Sequence, residues 1–121
     1  MLTRGIRGAI TLESNDKTSI KEATVELLEQ MLEKNNIETQ DIAFAIFTVT
    51  SDIDTEFPAK FAREYCGFEN VPMMCYREMD VKGAIKMCLR ILLSVNTTKS
   101  QTEIKHQYLK GAAKLRRDIT E

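Results

Sequence analysis

The order of apolar and polar residues predicts a β-α-β-α-β arrangement, and therefore an α+β or α/β domain. Two patterns support this prediction: apolar residues recur at helical spacing over residues 20–32, and an apolar run, IAFAIF, begins at Ile42. The 121 residues fit the size of one domain. No repeat, low-complexity block or linker interrupts them, so we expect residues 1–121 to form a single domain.

The first half of the chain has the clearer patterns. Residues 2–12 mix threonine, isoleucine and leucine with two glycines, which predicts a strand whose glycines provide backbone freedom. Ser19 and Glu22 fit a capping box at the start of a helix, which would end at residues 35–36. Residues 42–50 are typical of a buried strand.

The next elements are shorter. Residues 51–54 predict a loop. Pro58 fits the first turn of a short helix that stops at Gly67. Residues 71–76 then predict a short strand with a proline near its start.

The last third leaves alternatives open. Residues 82–96 fit a helix, or a helical turn followed by a strand over residues 87–95. Periodicity does not decide between the two. Residues 104–115 leave a similar choice.

Charge and composition exclude several classes of protein. The net charge of −1 lacks the basic excess of a typical nucleic-acid-binding domain. The longest strongly apolar run, residues 42–47, is far shorter than the ~18 residues of a membrane span. Residues 1–9 have no apolar signal-peptide core, and the three cysteines fit reduced thiols. We therefore expect a soluble, cytoplasmic protein without nucleic-acid or membrane partners.

The residues needed for several kinds of chemistry are absent. His106 is the only histidine, and no cysteine–histidine spacing suits a metal. No glycine-rich phosphate loop or nucleophile motif occurs. The sequence thus predicts no metal and no cofactor, and it favours a surface or hydrogen-bonded His106 over a catalytic one.

Arginines near apolar segments are the remaining signal. Arg90 lies inside an apolar run, where burial without a partner costs free energy. It fits an ion pair with Glu78 or Asp80, or an anion pocket for a small carboxylated ligand, since its planar fork binds carboxylates at two points. Arg7 and Arg63 are further candidates for such a pocket.

Three other residues have ordinary structural interpretations when read alone. Glu78 fits a solvated turn acid, Tyr108 a packing residue, and Cys75 a small buried apolar group. From the residues alone, the prediction is a small domain that binds an anion.

At these same positions the chain resembles the AroH-type monofunctional chorismate mutases. The matching segments run nearly end to end in the family's order and spacing, and the combination is specific although each segment is short. They are residues 4–9 (RGIRGA), 57–60 (FPAK) with Arg63, 71–72 (VP), Cys75, 78–81 (EMDV), Cys88 with Arg90, 108–109 (YL) and 115–116 (LR).

The resemblance implies a fold, an assembly and a reaction. The fold is α+β, with a mixed β-sheet packed against one long and one short helix, assembling as a homotrimeric pseudo-α/β-barrel with active sites at subunit interfaces. In that fold residues 87–95 are a strand. The reaction converts chorismate to prephenate on the route to phenylalanine and tyrosine. It is a concerted intramolecular rearrangement that needs no nucleophile, general base, metal or cofactor, so the enzyme contributes conformational restriction and electrostatics.

The resemblance also assigns catalytic roles. Arg90 matches the cation beside the ether oxygen, where negative charge develops. Arg7 and Tyr108 match the residues that bind the side-chain carboxylate. Glu78 matches the acid that hydrogen-bonds the ring hydroxyl, and Cys75 a neighbour that contacts the same hydroxyl.

A second set matches substrate-binding positions around the pocket. It comprises an apolar wall from the adjacent subunit, positive charges at the mouth, a strand along the substrate and a closing tail. These are Phe57, Ala59, Lys60, Arg63, Met73, Met74, Cys75, Tyr76, Arg77, Leu115 and Arg116.

Two departures and two alternatives accompany the resemblance. Met73 and Met74 are bulkier than the family pattern, and Arg117 replaces a frequent proline before a short tail, so closure over the pocket is expected to be looser. The alternatives are a trimeric enamine or imine deaminase and a non-catalytic small-anion sensor. The deaminase does not account for Arg7, Glu78, Arg90 and Tyr108 occurring together.

Overall fold

A computed structural model describes residues 1–116, with five strands and two α-helices in this range. The strands are β1 (Leu2–Thr11), β2 (Ile42–Val49), β3 (Met73–Arg77), β4 (Cys88–Thr97) and β5 (Gln107–Leu109). The helices are α1 (Lys17–Asn35) and α2 (Pro58–Tyr65). Short 3-10 helices cover Thr39–Asp41, Gln101–Glu103 and Lys110–Arg116.

The strands form one mixed sheet in the order β3-β2-β4-β1-β5. Strand β4 runs antiparallel to both β1 and β2, whereas β5 is parallel to β1 and β3 is parallel to β2. The helices α1 and α2 contact each other, and α1 also packs on β1. This mixed sheet with one long and one short helix confirms the α+β class.

The open choice over residues 82–96 is decided in favour of the strand. Along β4, Leu89, Ile91 and Leu93 are buried, whereas Arg90 and Leu92 face the other side. Because Leu92 is apolar although it is exposed, the alternation is hidden in the sequence. Residues 104–115 contain both β5 and the last 3-10 helix.

Helix α1 begins earlier than the sequence predicts. Its N-cap is Asp16, whose side chain accepts a hydrogen bond from the Ser19 N–H at 2.8 Å, so the capping box at Ser19 and Glu22 is wrong. The predicted end is confirmed, since Asn36 caps the helix in the left-handed conformation with φ 54°.

The main core lies between the sheet and the two helices. Gly8 shows how closely β1 and α1 approach, since a Cβ there would lie 2.5 Å from the Met31 Sδ atom. The glycine therefore allows α1 to pack closely on β1, and it does not adopt the left-handed conformation for which backbone freedom would be needed.

The opposite face of the sheet carries apolar side chains that this chain leaves partly uncovered. Phe44, Met74 and Leu92 are exposed there, Met74 to 58%. None of the helices within residues 1–116 is both long and apolar enough to cross a membrane.

Candidate active site

The sheet register places distant residues side by side on this second face. Thr48 on β2 pairs with Arg90 on β4, Arg90 pairs with Ala9 on β1, and Ala9 pairs with Tyr108 on β5. One row across the sheet therefore joins four strands that are far apart in the sequence. Arg7 lies two residues before Ala9 on β1 and so shares its face.

The residues predicted to be catalytic line one cavity of about 340 Å³ on this face. Arg7, Glu78, Arg90 and Tyr108 contribute its polar groups, together with Thr48. The remaining lining is mostly apolar: Gly8, Ile46, Ile91, Leu92 and Leu115.

Arg90 and Glu78 form an ion pair at the cavity. The Arg90 Nε atom lies 3.4 Å from Glu78 Oε2, and the two side chains are 42% and 28% exposed. The Nε atom is buried without a hydrogen-bond partner among the described residues, so the contact is electrostatic and leaves a donor unsatisfied. Both sequence-based alternatives for Arg90, the ion pair and the lining of a pocket, are therefore present together.

Glu78 is held by the end of β2. Its backbone N–H donates to the Val49 carbonyl at 2.8 Å, and its Oε2 atom accepts a hydrogen bond from the Thr48 hydroxyl at 2.7 Å. Glu78 is thus half-buried and paired, unlike the solvated turn acid that its local sequence favours.

Arg7 is positioned through its backbone. The Arg7 N–H donates to the His106 Nδ1 atom at 2.9 Å, which confirms the hydrogen-bonded interpretation of the only histidine. This bond lies just before β5, which pairs with β1 from Gly8 onward.

Tyr108 is buried in a small cluster with Ala9, Cys88 and Ala112, which agrees with its packing interpretation, and it also lines the cavity. Burial raises the pKa of the Cys88 thiol, partly offset by the positive charge of Arg90.

The chain's last segment borders the same cavity. Leu115 lines it, and Arg116 ends the last 3-10 helix. The Arg116 side chain, Arg117 and the predicted looser closure by the tail lie outside the described residues.

A second cavity, of about 320 Å³, is lined by four residues of the predicted substrate-binding set. Phe57, Cys75, Tyr76 and Arg77 line it, and Phe57 is 68% exposed. Cys75 and Glu78 therefore line different cavities within one chain. The structure brings the predicted substrate-binding residues of β3 close to α2, but not into the cavity of Arg90.

The charged residues of α2 and the Cys75 thiol lie near this second cavity. Lys60 Nζ pairs with Glu56 Oε1 at 3.3 Å, and Arg63 is exposed in the last turn of the helix. Burial raises the pKa of the Cys75 thiol, opposed by a hydrogen bond from the Ala59 backbone and by the charge of Arg63. The thiol is therefore protonated near neutral pH and can donate a hydrogen bond.

The other members of the predicted set lie on β3 and α2. Ala59 is buried in α2. Met73 is half-buried against the core, whereas Met74 lies on the exposed face beside Ile46.

Sequence reasoning missed Thr48 and Ile46. Both lie in the run that predicts β2, and they alternate with buried Ala45 and Phe47. That alternation is the only signal that would have placed them on the cavity face. Within residues 1–116, no group of three histidine, cysteine or acidic side chains could hold a metal ion.

Comparison with known proteins gives one consistent family. The model of the family "Chorismate mutase type I" matches residues 3–119. A chorismate mutase AroH from Bacillus subtilis (strain 168) is 39% identical over 120 residues, 99% of this chain and 94% of the relative. The same-named protein of Thermus thermophilus is 43% identical over 119 residues, covering 98% and 97%.

A solved structure agrees with these sequence matches. The chorismate mutase of Clostridium thermocellum superposes with a TM-score of 0.87 and is 45% identical, covering 89% of this chain and 96% of its own. The sequence matches extend over nearly the whole chain, including the strands that carry the cavity residues. The chain therefore belongs to the type I chorismate mutase family and is an enzyme, an isomerase.

Proposed function

We propose that the cavity of Arg7, Glu78, Arg90 and Tyr108 binds chorismate and that the chain catalyses its rearrangement to prephenate. The observation that supports this most strongly is the convergence of two arginines, a carboxylate and a phenol on one cavity whose remaining lining is mostly apolar. Chorismate carries two carboxylates and a ring hydroxyl, which these groups complement. The reaction belongs to the biosynthesis of phenylalanine and tyrosine.

Arg7 and Tyr108 restrict the substrate. They bind the side-chain carboxylate and hold the side chain over the ring, in the compact conformation from which the new bond forms. Because this ordering is done on binding, its entropic cost is removed from the chemical step. The apolar lining from Ile46 and Leu92 leaves that conformer little room to open.

Arg90 acts on the bond that breaks. As the ether C–O bond lengthens, negative charge grows on the oxygen, and a fixed positive charge there stabilises the transition state more than the substrate. The Arg90 side chain is 42% exposed and lines the cavity, so its guanidinium can face that oxygen. Glu78 hydrogen-bonds the ring hydroxyl and offsets positive charge on the ring, and no residue transfers a proton.

In this proposal each site is completed by a second subunit of the trimer. Within one chain, Phe57 and Cys75 line a different cavity from Arg90. A neighbouring copy that brings its Phe57, Ala59 and Cys75 against the first cavity would wall it off from water. The exposed apolar side chains Phe44, Met74 and Leu92 suit such an interface in a homotrimeric pseudo-α/β-barrel.

The purified protein should therefore be a stable trimer. Burial of the exposed Phe57 and Met74 side chains between copies favours association. Light scattering at micromolar protein measures the mass directly. A monomer mass would contradict both the assembly and the shared site.

Arg7→Ala should raise KM strongly with a smaller effect on kcat. The substrate carboxylate is present before and during the reaction, so Arg7 contributes mainly to binding that the ground and transition states share. Arg4→Ala is a matched control, since Arg4 lies on the same strand and its Nε–H bonds the Lys99 carbonyl outside the cavity. A large fall in kcat with unchanged KM for Arg7→Ala would show that its role is misassigned.

The function itself is tested by incubating the purified protein with chorismate and following the loss of its ultraviolet absorbance. Accelerated loss with formation of prephenate supports the proposal. Prephenate binding without any turnover would make the chain a non-catalytic anion sensor instead.

We further infer a single domain over residues 1–121 that works without metal or cofactor. We place it in the cytoplasm, where three unpaired thiols are stable.

A further inference from the structure

We propose that Thr48 is a positioning residue for Glu78. The Thr48 hydroxyl binds one oxygen of the Glu78 carboxylate, which leaves the other oxygen available to the ligand. This inference rests on the proposed function, because the ligand group in question is the ring hydroxyl of chorismate. It adds to the site a residue that the sequence did not indicate.

The register of the sheet builds this contact. Thr48 and Arg90 are cross-strand partners on β2 and β4, so both side chains lie on the cavity face. Glu78 follows β3 directly and is tied to β2 by its N–H bond to the Val49 carbonyl. The strand pairing therefore places three groups next to one another: the Thr48 hydroxyl, the Glu78 carboxylate and the Arg90 guanidinium.

Both contacts of the carboxylate fall on the same atom. Glu78 Oε2 accepts the Thr48 hydroxyl at 2.7 Å and lies 3.4 Å from Arg90 Nε. Within residues 1–116, Oε1 accepts no hydrogen bond, whereas Oε2 accepts that of Thr48. One oxygen is thus held by the protein, and the other can accept a hydrogen bond from a bound hydroxyl.

The hydroxyl also limits the ion pair. Carboxylates and guanidinium groups favour a bidentate arrangement in which two oxygens meet two N–H donors. Without the Thr48 donor, the Glu78 carboxylate is free to rotate toward that arrangement. It would then occupy Arg90 donors that the substrate needs and turn Oε1 away from the ring hydroxyl. Thr48 therefore prevents the ion pair of Glu78 and Arg90 from becoming bidentate, so that Oε1 and the other Arg90 donors stay available to the ligand.

Two substitutions separate the hydroxyl from the shape of the side chain. Thr48→Val keeps the volume and removes the donor, whereas Thr48→Ser keeps the donor. We expect Thr48→Val to lower kcat/KM about 10- to 100-fold, the range for losing a hydrogen bond to a charged group. Thr48→Ser should restore most of the activity. Thr24→Val is the matched control, since it removes a buried hydroxyl that bonds the Ile20 carbonyl within α1, away from the cavity.

A second measurement distinguishes positioning from a merely structural role. In the Glu78→Ala background, Thr48→Val should change kcat/KM less than about twofold, because it acts through Glu78. An undiminished effect in that background, or wild-type kinetics of Thr48→Val, would overturn the proposal. Should Thr48→Val fail to fold, Thr48→Ala provides a second hydroxyl-free variant.

Different results would contradict the positioning role of Thr48 and the proposed function. A wild-type protein that leaves chorismate unchanged refutes the proposed function. The placement of Glu78 is then decided by crystal structures of the wild type and Thr48→Val. A carboxylate that turns toward Arg90 in the variant supports the positioning role, and an unmoved carboxylate contradicts it.

Discussion

Arg90→Ala should lower kcat about 100- to 1000-fold or more, with a much smaller change in KM. Removing one donor from a developing oxyanion costs about 3–4 kcal/mol in the transition state, and here the positive charge is lost as well. The Arg90 Nε atom lies 3.4 Å from Glu78 Oε2, so the variant also leaves the Glu78 carboxylate without its cation. Steady-state kinetics with chorismate give both constants.

Arg90→Lys should be badly impaired as well. Lysine keeps the charge but loses the planar fork and places its ammonium on a flexible stem. Arg4→Ala serves as a control, since the Arg4 Nε–H bonds the Lys99 carbonyl and Arg4 does not line the cavity of Arg90. If Arg90→Ala raised only KM and left kcat intact, Arg90 would be a carboxylate clamp and not the source of transition-state stabilisation.

Glu78→Ala should lose far more activity than Glu78→Asp. Alanine removes both the hydrogen bond to the ring hydroxyl and the negative charge beside the ring, and it leaves the buried Arg90 Nε without its ion pair. Aspartate keeps the charge but is one methylene shorter, so it reaches the Thr48 hydroxyl and the substrate less well. The measurement is kcat/KM for both variants alongside the wild type.

The pH profile of the wild type checks the same role. Since Glu78 supplies a hydrogen bond and a charge without transferring a proton, activity should lack the bell shape of an acid–base pair. A sharp bell with two enzyme-derived limbs near neutrality would contradict the account of Glu78.

The sequence predicted the first strand from its residue types, the long helix from its apolar periodicity and β2 from its apolar run. It did not decide β4, since Leu92 is apolar on a face that one chain leaves exposed. The side chain's environment depends on tertiary structure and on any neighbouring copy, neither of which a local pattern encodes. The N-cap is Asp16 and not Ser19. The sequence did not distinguish them because both residue types suit that position equally well.

The candidate site was predictable in composition but not in arrangement. Spacing alone did not decide whether Arg90 forms an ion pair or lines an anion pocket. Only the resemblance to the family connected Arg90 with Tyr108. Only the register shows that Thr48 and Arg90 are cross-strand partners. The separation of Cys75 from Glu78 within one chain was likewise invisible, since the two lie three residues apart in the sequence but line different cavities.

The claim that the positive charge of Arg90 drives the reaction is tested most directly by replacing Arg90 with citrulline, its neutral isostere. The substitution keeps the planar shape and three of the five N–H donors of the guanidinium. It replaces one terminal NH2 group by a carbonyl oxygen and removes the positive charge. Binding of prephenate and kcat are then measured on the same preparation. We expect only modestly weaker binding of prephenate and a fall in kcat of about 1000-fold or more, the upper end of the range for lost oxyanion stabilisation. A citrulline enzyme that retains the wild-type kcat would contradict the claim.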